Sequence, residues 1–355
     1  MHTFKNATIV TGETVLPKGS FSVHNGKFVR ICSGLSDEGE DLDGCYVIPG
    51  FIDTHIHGFS RYNFEDAHCD YAAAGTELKK KGITSYFAAI CPFDKDGNYH
   101  SGWLFPEHGI FKGVHLEGPF INVEQRGGFY KKQIQPYSEE MFAKLIQDLQ
   151  GQVKVMTAAP EVTEWKSLCR LAQREKIVLS AGHTKCDALL ARQIFQAGVK
   201  QITHIFNAMP GLHHREPWIL CEALLNPEVY CEAICDLYHV SPEVIKILWK
   251  LKGPERIIAV SDSVFVEAGM EVREGLVYNG DTVYGSQSDL YRMFRNLILN
   301  VGISILDAVK MTSSNAGNHF GLQTGRICQG MAADFIVMDR QLNIQSVFTA
   351  ADFPD

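Results

Sequence analysis

His55 and His57 stand two residues apart at the end of a short apolar run. Side chains two apart on an extended backbone project to the same side, so both imidazoles can reach one metal ion. Similar chemistry recurs at the ends of other apolar runs. These ends read His115-Leu116-Glu117-Gly118-Pro119-Phe120, Ser180-Ala181-Gly182-His183-Thr184, Thr203-His204-Ile205-Phe206-Asn207 and Val260-Ser261-Asp262-Ser263. Imidazole and carboxylate are the ligand set of Zn²⁺ and similar divalent ions. Such an ion polarises a carbonyl and brings the pKa of a bound water toward ~7, and a nearby carboxylate can move the proton. A lone His-X-His motif is weak evidence for this chemistry. Four histidines and two acids at the ends of five apolar runs are far stronger evidence.

The runs themselves define the scaffold. Apolar, β-branched stretches fall at 47–53, 83–90, 111–117, 153–159, 177–183, 201–206, 229–236 and 256–262. Helical patterns separate many of them, at 71–81, 138–149, 163–175, 186–197 and 242–251. Alternating strand and helix implies a parallel sheet, and eight strands imply a closed (β/α)₈ TIM barrel. The active site of such a barrel lies at the C-terminal ends of its strands, where the six candidates fall. Helices near 289–300 and 304–313 then lead back to strands. Residues 7–10, 19–23 and 27–31 at the start, and 325–327, 333–339 and 344–348 at the end, read as short strands, with Asn25-Gly26 as a hairpin turn. The expected division is therefore a β-sandwich built from 1–48 and 325–355, flanking a barrel domain at 49–324.

Composition narrows the function classes. With 45% hydrophobic residues in 355, a large core is available. A net charge of −8 speaks against a nucleic-acid partner, which requires a basic face. No apolar run approaches the ~18 residues of a membrane span. The first residues, Met1-His2-Thr3-Phe4-Lys5-Asn6, carry no signal pattern. Ten cysteines without framework spacing fit reduced thiols in a cytoplasmic protein.

The quoted motifs resemble those of the N-acetylglucosamine-6-phosphate deacetylases of the amidohydrolase superfamily. The resemblance also rests on Pro49-Gly50-Phe51-Ile52-Asp53, on Phe206-Asn207-Ala208-Met209, on Arg215-Glu216-Pro217 and on the tail Gly325-Arg326-Ile327 with Gly330 and Ala333-Asp334. It covers nearly the whole chain. It implies a principal metal site at Glu117, His183 and His204 and a second at His55 and His57, with Glu117 bridging. One or two divalent ions per chain follow, zinc first, with iron, manganese, cobalt or nickel as alternatives. It further implies Asp262 as catalytic acid/base, Asn207, Ala208 and Arg215 as phosphate-binding positions, His239 as a substrate-binding residue, and a homodimer. The implied reaction is hydrolysis of the acetamide of N-acetylglucosamine 6-phosphate to glucosamine 6-phosphate and acetate. The implied partner is that small amino-sugar phosphate, with no nucleic acid and no membrane.

Two positions depart from the pattern. Where the family carries a histidine for the acetyl carbonyl, this chain reads Gly127-Gly128-Phe129-Tyr130, and Phe129 cannot donate a hydrogen bond. The carbonyl-binding place thus falls at Phe129 or Tyr130: either Tyr130 replaces the histidine from one position over, or the metals polarise the carbonyl alone. A family glycine after Arg215-Glu216-Pro217 is here Trp218. Two other readings fit the residues: a deacetylase for another N-acyl amino sugar, such as N-acetylgalactosamine 6-phosphate, and a non-catalytic sugar-phosphate-binding barrel.

Overall fold

A computed structural model describes residues 1–34 and 36–354; Leu35 and Asp355, inside the two expected terminal segments, lie outside the described residues. Eight strands form the expected barrel: Phe51–Ile56, Ile83–Ile90, Phe111–Glu117, Val153–Ala158, Val178–Ala181, Gln201–Ile202, Tyr230–Ala233 and Ile257–Ala259. Each pairs in parallel with the next along the chain. The ring closes just beyond the eighth strand. There the Asp262 N–H donates to the His55 carbonyl at 2.9 Å, and the His57 N–H to the Ser263 carbonyl at 2.8 Å. Closure and the first histidine pair therefore share one seam.

Helices Tyr71–Lys80, Glu139–Asp148, Ala188–Gln196, Pro242–Lys252 and Leu290–Leu299 begin where an Asp or Ser caps them. Asp70, Ser138, Asp187, Ser241 and Asp289 each accept a hydrogen bond from a free first-turn N–H, typically worth about 1 kcal/mol. These caps sit beside the apolar faces that the helices bury against the barrel, so chemistry and packing specify the same starts.

The run expected as one strand at 47–53 is two. Tyr46–Pro49 pairs with Phe335–Met338 and with Thr8 and Ile9, whereas Phe51–Ile56 opens the barrel. The break is at Gly50, where a Cβ would sit 2.1 Å from Thr84 Oγ1. Only glycine allows the backbone that close. The chain ends join in one continuous seven-stranded sheet that includes His2–Val10, Val15–His24, Lys27–Cys32 and Ile344–Phe348. Its core is aromatic, with the Phe4, Phe21 and Phe335 rings 4.9 to 5.5 Å apart. The turn at Asn25-Gly26 has φ of 50° and 66°, the left-handed pair of a type I′ hairpin.

Other expectations need correction. Residues 325–327 form no strand, although the Ile327 N–H reaches the Thr11 carbonyl. The single helix expected at 304–313 is Ile305–Val309, a π-helical turn at Lys310–Ser314 and Asn315–His319. A short helix at Ile219–Leu225 was not foreseen. Nor was the three-stranded sheet Glu271–Arg273, Leu276–Asn279 and Thr282–Ser286, inserted after the eighth barrel strand. That insertion supplies one wall of the cavity described next.

Candidate metal centre and cavity

The six strand-end residues meet. Glu117 ends the third strand and is buried among the histidines. Its Oε1 lies 3.1 Å from His183 Nε2, 3.1 Å from His204 Nε2 and 3.3 Å from His55 Nε2, and its Oε2 lies 3.0 Å from His57 Nε2. Asp262 Oδ1 faces the other side of the first pair, 3.7 Å from His55 Nε2 and 3.6 Å from His57 Nε2. His55 joins His115 and Glu232 in a deeper donor group, and the six residues form two more at the barrel mouth. One is Glu117, His183 and His204; the other is His55, His57 and Asp262. Ligand atoms bound at about 2.0–2.2 Å to one ion stand about 3 Å apart, so these donors fit divalent ions, with Glu117 facing both groups.

The backbone is bent to bring them in. His183, His204 and Asp262 all have positive φ, at 47°, 26° and 45°. Each lies two or three residues past the end of its strand, where the left-handed turn directs the side chain toward the barrel mouth. Non-glycine residues adopt this region rarely, at a cost of about 1–3 kcal/mol each, and such strain gathers at functional sites. Gly182, just before His183, packs where a Cβ would meet Thr203 at 2.7 Å. The sixth strand is only two residues long because the chain turns at His204 and Phe206. An apolar run of six does not announce that turn.

Charge in the cluster is set by competition. Burial favours the neutral acid at Glu117, but the surrounding imidazoles outweigh it and hold the carboxyl well below the usual range. Burial pulls His57 down, yet hydrogen bonds to Glu117 and Glu65 prevail and hold it at about 10. His55 is likewise opposed by burial and is raised well above the ordinary imidazole value by Glu117 and Glu232. Proton and cation compete for the same nitrogens here. His115 is a different case. Burial and the neighbouring His55 hold it well below the ordinary range, and it bonds the Thr54 carbonyl and Thr157 Oγ1 inside the barrel.

A cavity of about 280 Å³ opens above the cluster. Asn207, Ala208, His239 and Phe129 line it, as do His57, Glu117, His183, His204 and Asp262. His239 is held by Asp236, whose Oδ2 lies 2.8 Å from His239 Nδ1, leaving Nε2 for the cavity. Phe129 stands edge-on to the His183 ring, with centroids 5.2 Å apart. Tyr130 does not line the cavity; its hydroxyl accepts from Asn279 Nδ2 at 2.7 Å. Arg215 is exposed, beside His214, and Trp218 caps the short helix; neither lines the cavity. No Lys or Arg among the described residues does so.

The sequence reading missed Glu65, Glu232, Glu267 and Tyr284. Glu65 and Glu232 bond the first histidine pair from behind, and Glu267 and Tyr284 line the cavity. A carboxylate in the middle of the buried strand Tyr230–Ala233 was the available signal for Glu232. Nothing in the spacing marks the others.

A parallel eight-stranded barrel with histidines and carboxylates gathered at its C-terminal rim defines a metal-dependent hydrolase of the barrel type. The chain belongs to the amidohydrolase family, whose model matches residues 46–353, and is a C–N bond hydrolase; that superfamily is generally dependent on divalent metal, and this chain has candidate donor groups for it. It is 28% identical to the N-acetylglucosamine-6-phosphate deacetylase of Bacillus subtilis (strain 168), over 96% of this chain and 93% of that one. The solved structure of the Thermotoga maritima deacetylase of the same name superposes with a TM-score of 0.86 at 27% identity, over 98% of each chain. A variant of the Mycobacterium smegmatis enzyme, in complex with N-acetyl-D-glucosamine 6-phosphate, gives a TM-score of 0.88 over 98% of each chain. At 23% identity that last likeness speaks to the fold alone. Among the described residues, no helix is long and apolar enough to cross a membrane.

Proposed function

We propose that this chain hydrolyses the acetamide of N-acetylglucosamine 6-phosphate to glucosamine 6-phosphate and acetate. One observation carries the reading: His57, Glu117, His183, His204 and Asp262 line one cavity, with His55 buried directly behind them. The relatives' names support the substrate.

Glu117, His183 and His204 would hold one ion, and His55, His57 and Asp262 a second, zinc being the first candidate. When bound, the metal supplies a Lewis acid for the acetamide carbonyl and makes a water more acidic. Asp262 reaches into the cavity beside this cluster, takes a proton from the attacking water and returns it to the departing amine. An amine leaves poorly unless protonated, so this return is the essential task of the carboxylate. His239, oriented by Asp236, offers its free Nε2 to a substrate hydroxyl or phosphate oxygen. Asn207 and Ala208 also line the cavity and would offer their polar groups to the 6-phosphate. Arg215, exposed and outside its own cavity, suits delivery to the cavity of a second copy in a homodimer. Ten free thiols suit a reducing compartment such as the cytoplasm.

The cavity of one chain has no cationic side chain among the described residues, and Glu267 lines it. That favours a second reading in which the sugar carries no phosphate. Acetate release from N-acetylhexosamines with and without a 6-phosphate separates the two. The first reading expects kcat/KM at least about 10²-fold higher with the phosphate, the scale of two good charge-assisted bonds. Equal or inverted preference supports the second.

A further inference from the structure

The two histidines of the first strand differ from the other pair in what lies behind them. His55 Nδ1 is 3.2 Å from Glu232 Oε2, and His57 Nδ1 is 3.2 Å from Glu65 Oε1. In the other group, His183 Nδ1 faces the Gln125 backbone carbonyl at 2.9 Å, and His204 Nδ1 is buried without a partner among the described residues. One donor group is thus backed by two carboxylates and the other by none. Glu232 is itself locked in place. It is fully buried, and its Oε1 accepts from Gln201 Nε2 at 2.7 Å. Gln201 Oε1 in turn accepts from His319 Nε2 at 2.9 Å. A hydrogen-bonded line therefore runs from His55 along the barrel interior to His319.

We propose that Glu232 and Glu65 are positioning residues for His55 and His57, and that they set the affinity of the His55–His57–Asp262 group for a divalent ion. This rests on the reading above, that the group holds an ion. An imidazole that ligates through Nε2 must carry its proton on Nδ1. A carboxylate accepting that proton fixes the tautomer and the ring's direction and leaves the ligating nitrogen more basic than a carbonyl would.

The test counts ions and measures their affinities in metal-free protein titrated with Zn²⁺ alone and with Mn²⁺ alone. Unmodified protein should take two ions per chain. Glu65→Gln and Glu232→Gln should each weaken one ion by about 10–100-fold, the usual scale for a partner behind a metal-ligating histidine, and leave the other unchanged. General damage to the fold would weaken both ions together. Glu232→Gln changes the barrel core, so Glu65→Gln, nearer the surface, keeps the test decisive if the core variant fails to fold. Two ions of unaltered affinity in Glu65→Gln, or an equal loss of both, would overturn the proposal. A single ion in the unmodified protein would instead overturn the reading that the His55 group is a site at all.

Discussion

The proposed reaction turns on Asp262. Its carboxylate lies within 3.7 Å of both first-strand imidazoles and opens into the cavity. Asp262→Asn keeps the size and one oxygen but cannot carry a proton. Acetate release should fall about 10²-fold or more while the ion held by Glu117, His183 and His204 stays, as read by turnover and metal analysis on the same sample. Turnover near that of the unmodified protein would remove Asp262 from the mechanism. Tyr130 makes the opposite case. As a carbonyl donor in the transition state it would be worth about 10²–10³ in rate. Its hydroxyl is engaged by Asn279 outside the cavity, so Tyr130→Phe should change kcat by less than about threefold. A hundredfold loss would show that the hydroxyl turns inward in the working enzyme. Residue types alone made both positions candidates; only the direction of the side chains separates them.

Elements were legible wherever one pattern decided them. The strands Ile83–Ile90 and Phe111–Glu117 fall where their apolar runs begin and end, because both faces are buried and the whole run is core. The run at 201–206 gave way after Ile202 because left-handed turns at His204 and Phe206 serve the site rather than the sheet. The split at Gly50 depends on Thr84, which is distant in sequence. Only Val277, Gly285 and Ser286 of the inserted sheet around Leu276–Asn279 are buried, so no core pattern marks it. The six cluster residues were visible because metal chemistry admits few residue types. Glu65 was not, since a carboxylate on a loop looks like any solvated acid. The line ending at His319 yields an element-level expectation. Burial holds the His319 imidazole down at about 4. The unfolded chain then binds this proton below its ordinary value of 6.5, and the folded chain does not until about 4. Stability from this group is complete above the ordinary value and is lost as pH falls toward the folded one. Between pH 7.5 and 5, metal-free protein should lose about 2 kcal/mol more than His319→Asn, measured by urea unfolding. Parallel losses in the two proteins would mean that His319 is solvated.

At the scale of the whole molecule, a sheet made by both chain ends flanks a barrel whose seam carries the first histidine pair. One chain gathers the proposed metal donors and proton carrier, but among the described residues no Lys or Arg lines its cavity to meet a phosphate. A homodimer that lends Arg215 to its neighbour would supply one. Arg215→Ala should therefore raise KM for the 6-phosphate substrate about tenfold or more, with little change for the unphosphorylated sugar, and mixing it with an active-site variant should restore some wild-type sites. Unchanged KM would confine Arg215 to the surface. The cluster is proposed above as a metal-dependent deacetylase site. Its most direct test is to strip the protein of metal, add back Zn²⁺ in steps, and follow acetate released from N-acetylglucosamine 6-phosphate. Activity should be absent without metal and rise with occupancy to a plateau when the donor groups are filled. Full occupancy with no acetate released would contradict the account.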